Sequence, residues 1–363
     1  MRRGLRMAFF GSSLVSAYWN GAATYYRGII RALHEDGHQI TFYEPDAYER
    51  QAHRDIPDPP WARVVVYSTA SEEAVYRVLE EARGADLIIK ASGVGIFDAL
   101  LERAVLEMRR EGALAVFWDV DAPATLDRVL QNSNDPFRQL ISHYDLILTY
   151  GGGEPVVKAY TALGAQACIP IYNALDPSTH YPVAPDPRFV ADLGFLGNRL
   201  PDREVRVEKF LFHAANEAAE CRFLLGGNGW DSKALPDNVR SIGHVYTYDH
   251  NAFNCSPRVI LNINRTSMAR YGFSPPTRIF EAAGVGACLI TDAWEGIEYF
   301  LEPEREVIIV HDGSELAKRL RVLTPARAST IGAAARSRIL AEHTYRHRAQ
   351  QLAALLTPWY GRG

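Results

Sequence analysis

The stretch that decides the fold class is "LRMAFFGSSLVSAYWNGAATYYRGIIRALHEDGHQITFYEPD", residues 5–46. An apolar run stops at Gly11, a loop follows, an amphipathic segment begins at Gly21, and a second apolar run begins after His38. A continuous apolar strand, a helix and another strand in this order predict a parallel β–α–β unit. We therefore expect a parallel sheet with helices on both faces.

The same alternation continues along the chain. The later strand-like runs are "ARVVVYS", "ADLIIKAS", "ALAVFWDVD", "YDLILTYG", "QACIPIYNA", "ADLGFLGNR", "CRFLLGGNGW", "VRSIGHV", "RVILNIN", "GACLITD" and "EVIIVHD". Residues 175–190 interrupt the series with four prolines, which predicts an interdomain linker. The expected fold is α/β, with two doubly wound, Rossmann-like domains at residues 1–180 and 181–340 and a helical tail at 341–363.

Composition narrows the class of protein. A length of 363 residues suits two domains, and a formal net charge of −4 argues against nucleic acid as the main partner. No segment approaches the roughly 20 apolar residues of a membrane span, and the N-terminal apolar run is too short for a secretion signal. The cysteines, Cys168, Cys221, Cys255 and Cys288, are scattered. We expect them to be reduced core residues of a cytoplasmic protein.

Loops that follow the strands are the expected binding positions, because open parallel sheets bind ligands beyond the carboxyl ends of their strands. The first such loop contains Gly11, Ser12, Asn20 and Gly21, without a dinucleotide fingerprint. Gly21 would allow a ligand to approach the positive end of the first helix, and an ordinary loop glycine explains it equally well. A second loop, Gly226, Gly227, Asn228 and Gly229, could cradle a phosphate or a base with its N–H groups, or form a plain turn.

The stretch "YGFSPPTRIFEAAGVGACLITD", residues 271–292, contains the strongest anion-binding pattern. Ser274 is predicted to cap a helix that starts at Pro275, so that the N–H groups of Thr277 and Arg278 meet a diphosphate. Arg278 and Glu281 share one helical face. The alternative to a buried binding carboxylate at Glu281 is a surface ion pair between these two residues.

With these residues the chain resembles the glycosyltransferases of two Rossmann-like domains, the GT-B type, and more narrowly the CgeB-type, spore-maturation glycosyltransferases. The matching segments are "SYWNGAATYYRGIIRALHEDGHQITFYEPD", "FWDVDAP", "IYNALDPSTHYPV" and "SPPTRIFEAAGVGACLITDAWEGIEYFLEPEREVIIV". The resemblance spans nearly the whole chain. It implies two domains that face a central cleft and a C-terminal helix that crosses back to the first domain.

The resemblance also implies site roles. A nucleotide-diphosphate sugar, with a UDP-sugar favoured, would be the co-substrate on the C-terminal domain, and no cofactor is expected. Glu281 would accept hydrogen bonds from the ribose hydroxyls, and the helix start would hold the diphosphate together with Arg199 or Arg203. The donor-binding residues expected are Arg199, Arg203, Gly226, Gly227, Asn228, Gly229, Tyr271, Ser274, Thr277, Arg278 and Glu281. Many retaining members carry a second carboxylate upstream of Glu281, where this chain has Ser274, so the stereochemistry stays open.

The pair Asp119 and Asp121 in "FWDVDAP" first suggests a metal site against the donor diphosphate. The pair ends a strand of the N-terminal half, however, while the phosphate-binding features lie in the other half. We therefore predict no metal there and expect Asp119 and Asp121 to be catalytic on the acceptor side, with Asp119 contacting the reacting sugar or acting as base. The alternative is structural: Asp121 caps the segment that starts at Pro123, and Asp119 pairs with a cation.

The predicted activity is metal-independent transfer of a sugar to an acceptor hydroxyl. The acceptor is unidentified and could be a glycan, a protein or a small metabolite, and a homodimer is compatible with the sequence. Three other classes remain open: a sugar-nucleotide 2-epimerase of the same fold, a nicotinamide-dependent oxidoreductase and a non-catalytic nucleotide-sugar binder. His180 and His244 are interpreted as structural residues.

Overall fold

The structure, a computed structural model, describes residues 4–18 and 20–360. Trp19 and residues 1–3 and 361–363 lie outside the described residues, so parts of the basic N-terminal segment, of the first matching segment and of the tail lie there. Contacts divide the chain into two compact units, residues 1–172 with 345–363 and residues 173–344.

The first unit contains a parallel sheet of seven strands in the order β3-β2-β1-β4-β5-β6-β7. Its strands are β1 (Arg6–Phe10), β2 (Gln39–Pro45), β3 (Arg63–Tyr67), β4 (Leu87–Ala91), β5 (Leu114–Asp119), β6 (Leu146–Thr149) and β7 (Cys168–Pro170). The strand order reverses between β1 and β4, so the carboxyl ends of these strands form a switch point, where open sheets bind ligands.

The helices of the first unit lie between these strands. They are α1 (Ala23–Glu35), α2 (Glu72–Ala82), α3 (Asp98–Met108), α4 (Ala122–Gln131), α5 (Pro136–Leu140) and α6 (Gly153–Ala162). Helix α1 buries Tyr26, Ile29, Ile30 and Leu33. These residues recur at the spacing of one helical face, which is why the segment packs as an amphipathic helix.

The second unit contains a six-stranded parallel sheet in the order β10-β9-β8-β11-β12-β13. Its strands are β8 (Leu193–Leu196), β9 (Phe223–Gly226), β10 (Val239–Gly243), β11 (Val259–Asn262), β12 (Leu289–Asp292) and β13 (Ile308–Val310). The order reverses between β8 and β11. The two predicted doubly wound domains are thereby confirmed, because each unit is a parallel sheet with crossover helices.

The helices of the second unit are α7 (Pro201–Val207), α8 (His213–Glu217), α9 (His250–Cys255), α10 (Thr266–Tyr271), α11 (Thr277–Gly284), α12 (Gly313–Val322) and α13 (Pro325–Glu342). A π-helical turn at Glu208–Phe212 joins α7 to α8, so this helical stretch changes its winding in the middle. None of the helices within 4–18 and 20–360 combines the length and the apolarity that crossing a bilayer requires.

The last helix, α14 (Tyr345–Tyr360), belongs to the first unit, as predicted for the tail. It packs on α1 at Gly28, where a Cβ atom would lie only 2.1 Å from the Tyr345 ring. Arg348 Nε donates to the Tyr172 carbonyl at 3.1 Å, and Gln351 Nε2 donates to the Pro170 carbonyl at 3.0 Å. The tail is therefore fastened to the end of the first sheet by packing and by hydrogen bonds.

The unit boundaries fall at 172/173 and 344/345, whereas the sequence suggested 180/181 and 340/341. The difference comes from the proline-rich segment 175–190, whose first residues pack inside the second unit. Leu175 is buried, its N–H donates to the His343 carbonyl at 2.8 Å, and its side chain fills the space above Gly284. Prolines keep this segment from forming a helix, but they do not keep it from packing.

Candidate functional site

The candidate site begins where β8 ends, at the switch point of the second sheet. A Cβ atom on Gly197 would lie 3.1 Å from Arg203 Nη1 and 3.1 Å from Arg278 Nη2. The glycine thus leaves room for two guanidinium groups that come from different helices. Two cations at a strand end of an open sheet are suited to an anionic ligand.

Arg278 reaches this position from the first turn of α11. Its Nη1 donates to Asn262 Oδ1 at 2.8 Å, its Nη2 donates to the Leu196 carbonyl, and its guanidinium lies 4.9 Å from the centre of the Phe195 ring. Burial and the neighbouring Arg203 lower the pKa of Arg278 to about 9, so the group stays charged at neutral pH. The side chain is directed at the sheet, and it does not form the surface ion pair with Glu281 that the sequence left open.

Arg203, the second cation beside Gly197, comes from α7. Its Nη1 donates to the Asn198 carbonyl at 3.1 Å, and its buried Nε has no hydrogen-bond partner among the described residues. Burial and the charge of Arg265 lower the pKa of Arg203 to about 10. A buried guanidinium with an unused N–H is an unfavourable arrangement unless a ligand accepts from it.

Arg199, the third predicted cation, has another role. Its Nη2 donates to Glu204 Oε1 at 2.8 Å and its Nη1 donates to Ser232 Oγ at 3.1 Å. Its charge is therefore compensated by a carboxylate, and its guanidinium braces the loop that follows β9. The predicted positive set of three is in this structure a pair, Arg203 and Arg278.

The glycine loop 226–229 packs closely on the loop that follows β8 and is hydrogen-bonded to it. Gly227 has φ +122°, and a Cβ atom there would lie 2.3 Å from the Gly197 carbonyl oxygen. The Asn228 N–H donates to Asn198 Oδ1 at 2.9 Å, and Trp230 Nε1 donates to the Gly197 carbonyl at 2.8 Å. These glycines permit a close approach of two loops, which is a structural reason for their presence. Gly226 and Gly229 are placed in the same loop.

Helix α11 starts later than predicted. Its first residue is Thr277, Pro276 precedes it as a backbone cap, and no side chain caps it. The buried Ser274 hydroxyl donates to the Gly272 carbonyl at 2.8 Å, so Ser274 is not the helix cap that the sequence suggested. The pattern was misinterpreted because the second proline holds extended backbone, with φ −69° and ψ 157°.

The turn before α11 is strained. Gly272 and Phe273 both have positive φ, at +69° and +44°, and the Phe273 N–H donates to the Glu295 carbonyl at 2.6 Å. A left-handed conformation is uncommon for phenylalanine, and such strain is concentrated at functional sites. Tyr271 lies at the end of α10, where the Arg270 guanidinium covers its ring at 5.1 Å.

Glu281 lies one turn further along α11 and is half-buried. The His180 ring lies beside it, with Nε2 3.9 Å from Glu281 Oε1. His250, on α9, is also near: its Nε2 lies 3.2 Å from the Val245 carbonyl oxygen, and burial lowers its pKa. The sequence analysis interpreted His180 as structural and did not consider His250, because nothing in the pattern of residues 175–190 or of α9 indicates contact with α11.

Asn262 was also missed, although a signal for it exists. It is the last residue of β11, it is fully buried, and its Nδ2 donates to Asn264 Oδ1 at 2.9 Å and to Thr291 Oγ1 at 3.0 Å. Its remaining oxygen is thereby directed at Arg278. A polar residue that ends a buried apolar strand is a recognisable candidate under the strand-end rule.

In the first unit, Asp119 is fully buried inside a shell of donors. Its Oδ1 accepts from Ser92 Oγ at 2.7 Å, Thr125 Oγ1 at 3.0 Å and the Asp121 N–H at 3.0 Å, and its Oδ2 accepts from Tyr160 OH at 2.5 Å. Burial raises the pKa of Asp119. This enclosure does not support direct contact with a reacting sugar. The partners are three hydroxyl groups and a backbone N–H, so the alternative pairing with a cation is not observed among the described residues.

Asp121 is only partly buried and precedes α4 as its backbone cap, without a side-chain bond to the helix. Its N–H is fixed by Asp119. Among the described residues, no set of three or more His, Cys, Asp and Glu side chains is arranged to hold a metal ion. The two aspartates thus form one structured turn in which Asp121 is the more accessible carboxylate.

The loop after β1 is held by its own side chains. Ser12 Oγ donates to Asn20 Oδ1 at 2.9 Å, and Asn20 Nδ2 donates to the Ser13 and Ser16 carbonyls at 2.9 and 3.0 Å. A Cβ atom on Gly11 would lie 2.4 Å from the Phe42 ring. Gly21 is exposed, with open space around it.

Two buried cations at this switch point were not foreseen. Arg50 Nη1 donates to the Ser12 carbonyl at 3.1 Å, and burial lowers the pKa of Arg50. Lys90, at the end of β4, is fully buried and bonded to Asp98. A lysine inside an apolar run of the sequence gives no indication of its partner.

Comparison with known proteins gives a family match for part of the chain. Residues 203–354 match the family model described as glycosyl transferase-like. These residues include Arg203, Arg278, Glu281 and Asn262. No curated protein matches the chain.

Solved structures with the same fold are numerous. Sucrose-phosphate synthase from Thermosynechococcus elongatus has a TM-score of 0.72 and 16% identity, over 99% of this chain and 100% of that one. HepE of Anabaena, solved with UDP and glucose, has a TM-score of 0.68 and 14% identity, over 98% and 100%. An α-glucosyltransferase solved with UDP and a DNA 13-mer has a TM-score of 0.70 and 11% identity, over 98% and 100%. The chain therefore has the GT-B fold of two Rossmann-like units, and its residues 203–354 are similar to the glycosyl transferase-like family.

Proposed function

We propose that the protein is a glycosyltransferase that takes a sugar from a nucleotide-diphosphate sugar, a UDP-sugar, and transfers it to an acceptor hydroxyl. The observation that carries the proposal is the convergence of Arg203 and Arg278 beside Gly197, at the switch point of the second sheet. The family match over residues 203–354 and the UDP in neighbouring structures support the same donor class.

The donor would contact the second unit at two places. The diphosphate would lie against Arg203, Arg278 and the first N–H groups of α11, which have no partners within the helix. Glu281 is four residues after Thr277, about 6 Å along the helix, and would accept from the ribose hydroxyls. A nucleotide has the same order of groups, because its diphosphate would meet the two cations and its ribose would meet the Glu281 carboxylate.

The chemistry follows from the charges. The bond between the anomeric carbon of the sugar and the diphosphate oxygen breaks, a bond from that carbon to the acceptor oxygen forms, and the acceptor proton leaves. Negative charge develops on the departing diphosphate. Arg203 and Arg278, fixed before the reaction, would stabilise this charge at little reorganisation cost.

On the acceptor side, the candidate group is a carboxylate of the first unit. We keep Asp121 as the candidate carboxylate for the acceptor hydroxyl and assign to Asp119 the task of holding the turn of Asp121. A glycan, a protein and a small metabolite all remain proposed acceptors. The net charge of −4 disfavours nucleic acid as the main partner, and a homodimer stays a prediction.

Three finer statements also belong to the proposal. The CgeB-type subfamily rests on the sequence resemblance. Metal independence rests on the two guanidinium groups, which can supply the positive charge that a divalent ion supplies elsewhere. The four free cysteines support a reducing compartment and hence a cytoplasmic location.

The proposal is tested by a thermal-shift screen of UDP-, GDP-, dTDP- and CMP-sugars, with magnesium and with EDTA, followed by calorimetry of the best ligand. A UDP-sugar should raise the Tm in both conditions, and Arg203→Gln and Arg278→Gln should weaken its binding. If no nucleotide binds, or if both variants bind as tightly as the parent, the proposal fails. Conversion of the sugar nucleotide without any acceptor would instead indicate an epimerase.

A further inference from the structure

The proline-rich segment places a histidine against the carboxylate of α11. His180 is 7% exposed, and its Nε2 lies 3.9 Å from Glu281 Oε1. Leu175, at the start of the same segment, is anchored to His343 by a backbone hydrogen bond of 2.8 Å. The position of His180 is therefore set by the packing of the segment on the second unit.

The gap between His180 and Glu281 is informative. A separation of 3.9 Å is too long for a hydrogen bond, so the two side chains do not satisfy one another. Within residues 4–18 and 20–360, no hydrogen bond engages the Glu281 carboxylate. An acceptor and a ring nitrogen that are both unused, one of them on a buried side chain, leave places for two ligand groups.

The hydrogen bonds around His180 leave its Nε2 for a ligand. The Thr179 hydroxyl donates to the Asp176 carbonyl at 3.2 Å, and His180 Nδ1 lies 2.9 Å from Thr179 Oγ1. Nδ1 is thereby engaged by Thr179, and Nε2 is the ring nitrogen left for a ligand group. A ligand hydroxyl can bond to that nitrogen, because a hydroxyl both donates and accepts.

We propose that His180 and Glu281 together bind the 2′,3′-diol of the donor ribose, with one hydroxyl hydrogen-bonded to each side chain. The inference rests on the proposed function, because it names a further binding residue of the same site. Each side chain bonds a hydroxyl at about 2.8 Å, so atoms 3.9 Å apart can reach two adjacent hydroxyls. His180 thereby selects ribonucleotides against deoxynucleotides.

The neighbouring histidine does not fill this role. His250 Nε2 lies 3.2 Å from the Val245 carbonyl oxygen, so that nitrogen is already occupied by the backbone. A purely structural His180 would contribute to stability alone. A diol-binding His180 would also change the ratio of affinities for ribo- and deoxynucleotides.

Calorimetry with UDP, 2′-deoxy-UDP and 3′-deoxy-UDP tests the inference. The parent protein should bind each deoxy analogue about tenfold more weakly than UDP, because one hydrogen bond to the site is lost. His180→Phe, which keeps a planar ring without nitrogens, should bind UDP about tenfold more weakly and lose discrimination against one analogue. The control is His311→Phe, at an exposed histidine, which should match the parent.

The possible results separate the two proposals. Unchanged UDP affinity in Arg278→Gln and in Glu281→Gln would overturn the proposed donor site itself. If those variants lose affinity while His180→Phe keeps the discrimination of the parent against both analogues, the diol inference alone is overturned. Equal affinities of the parent for UDP and both analogues, or for UDP and dTDP, overturn the inference without any variant.

Discussion

The guanidinium groups of Arg203 and Arg278 flank Gly197, each 3.1 Å from the point where a Cβ atom on that glycine would lie. Neither group forms an ion pair with any residue that the structure describes, whereas Arg199 is paired with Glu204. From the missing side chain at position 197 and the absence of a close ion pair on either arginine within the described residues, we predict an anion position.

The two arginines should therefore differ from Arg199 in nucleotide binding. We expect Arg203→Gln and Arg278→Gln each to weaken UDP binding by about tenfold to a hundredfold, since a hydrogen bond to a charged group contributes about 1.5–3 kcal/mol. Arg199→Gln should have a smaller effect. Calorimetry at two salt concentrations measures this, and Arg222→Gln, at an exposed position, is the matched control. Equal losses for all three arginines would contradict the assignment.

Gly197→Ala should weaken UDP binding by about tenfold, because a methyl group displaces both guanidinium groups from their places. The Tm should also fall, because the methyl group would lie 3.1 Å from the buried Phe195 ring, which is less free to move than the ends of the two arginines. Gly21→Ala is the control, because no atom lies within 4 Å of a Cβ atom at that exposed glycine. Binding of UDP to Gly197→Ala at the affinity of the parent would show that the gap is not needed for the anion.

Asp119→Asn should act on stability. In the variant, an NH₂ group takes the place of one carboxylate oxygen. That oxygen accepts a hydrogen bond in the parent, whereas the NH₂ group can only donate, so the free energy of unfolding should fall by about 2 kcal/mol. Turnover of the folded variant should stay near that of the parent. Urea unfolding and steady-state rates measure the two effects, with the exposed Asp58→Asn as control. A large loss of kcat at unchanged stability would restore the role of Asp119 as base.

The ion pair of Arg27 and Asp55 should make the stability of the first unit depend on pH. Burial acts to raise the pKa of Asp55, but the hydrogen bonds and charge of Arg27 outweigh it and lower that pKa below its usual value. The stabilisation is present above the pKa of an unfolded aspartate, about 3.9, and is lost as the pH falls through the folded pKa.

We expect Asp55→Asn to lower the free energy of unfolding by about 1 kcal/mol near neutral pH and to differ less from the parent near pH 3. Urea titrations at the two pH values measure the difference. Arg27→Gln is the partner variant, because it removes the two hydrogen bonds of 2.8 Å that the Arg27 guanidinium donates to the Asp55 carboxylate. A difference that is the same at both pH values would show that the Asp55 charge contributes nothing.

The strands were predictable because their residues are continuous apolar runs between turn-forming residues. All thirteen strand-like segments of the sequence contain a strand of the structure. The helix start at Thr277 was missed by two residues, because both proline positions fit a helix entrance and only the backbone distinguishes them. The proline-rich segment was interpreted as a linker because its composition gives no sign of the buried Leu175 and His180.

The sequence by itself determined the two doubly wound units, and it was sufficient to propose Arg203, Arg278 and Glu281 as candidate residues near strand ends. These features follow from apolar runs, from turns and from the order of strands and helices. All of them are patterns among residues that are near one another in the sequence. Only the tertiary structure decided that Arg203 and Arg278 meet at Gly197, that Arg199 is neutralised by Glu204, that Asp119 is enclosed and that His180 faces Glu281. Such pairings depend on distances between atoms of distant residues, and these distances are set by the packing of helices on the sheets.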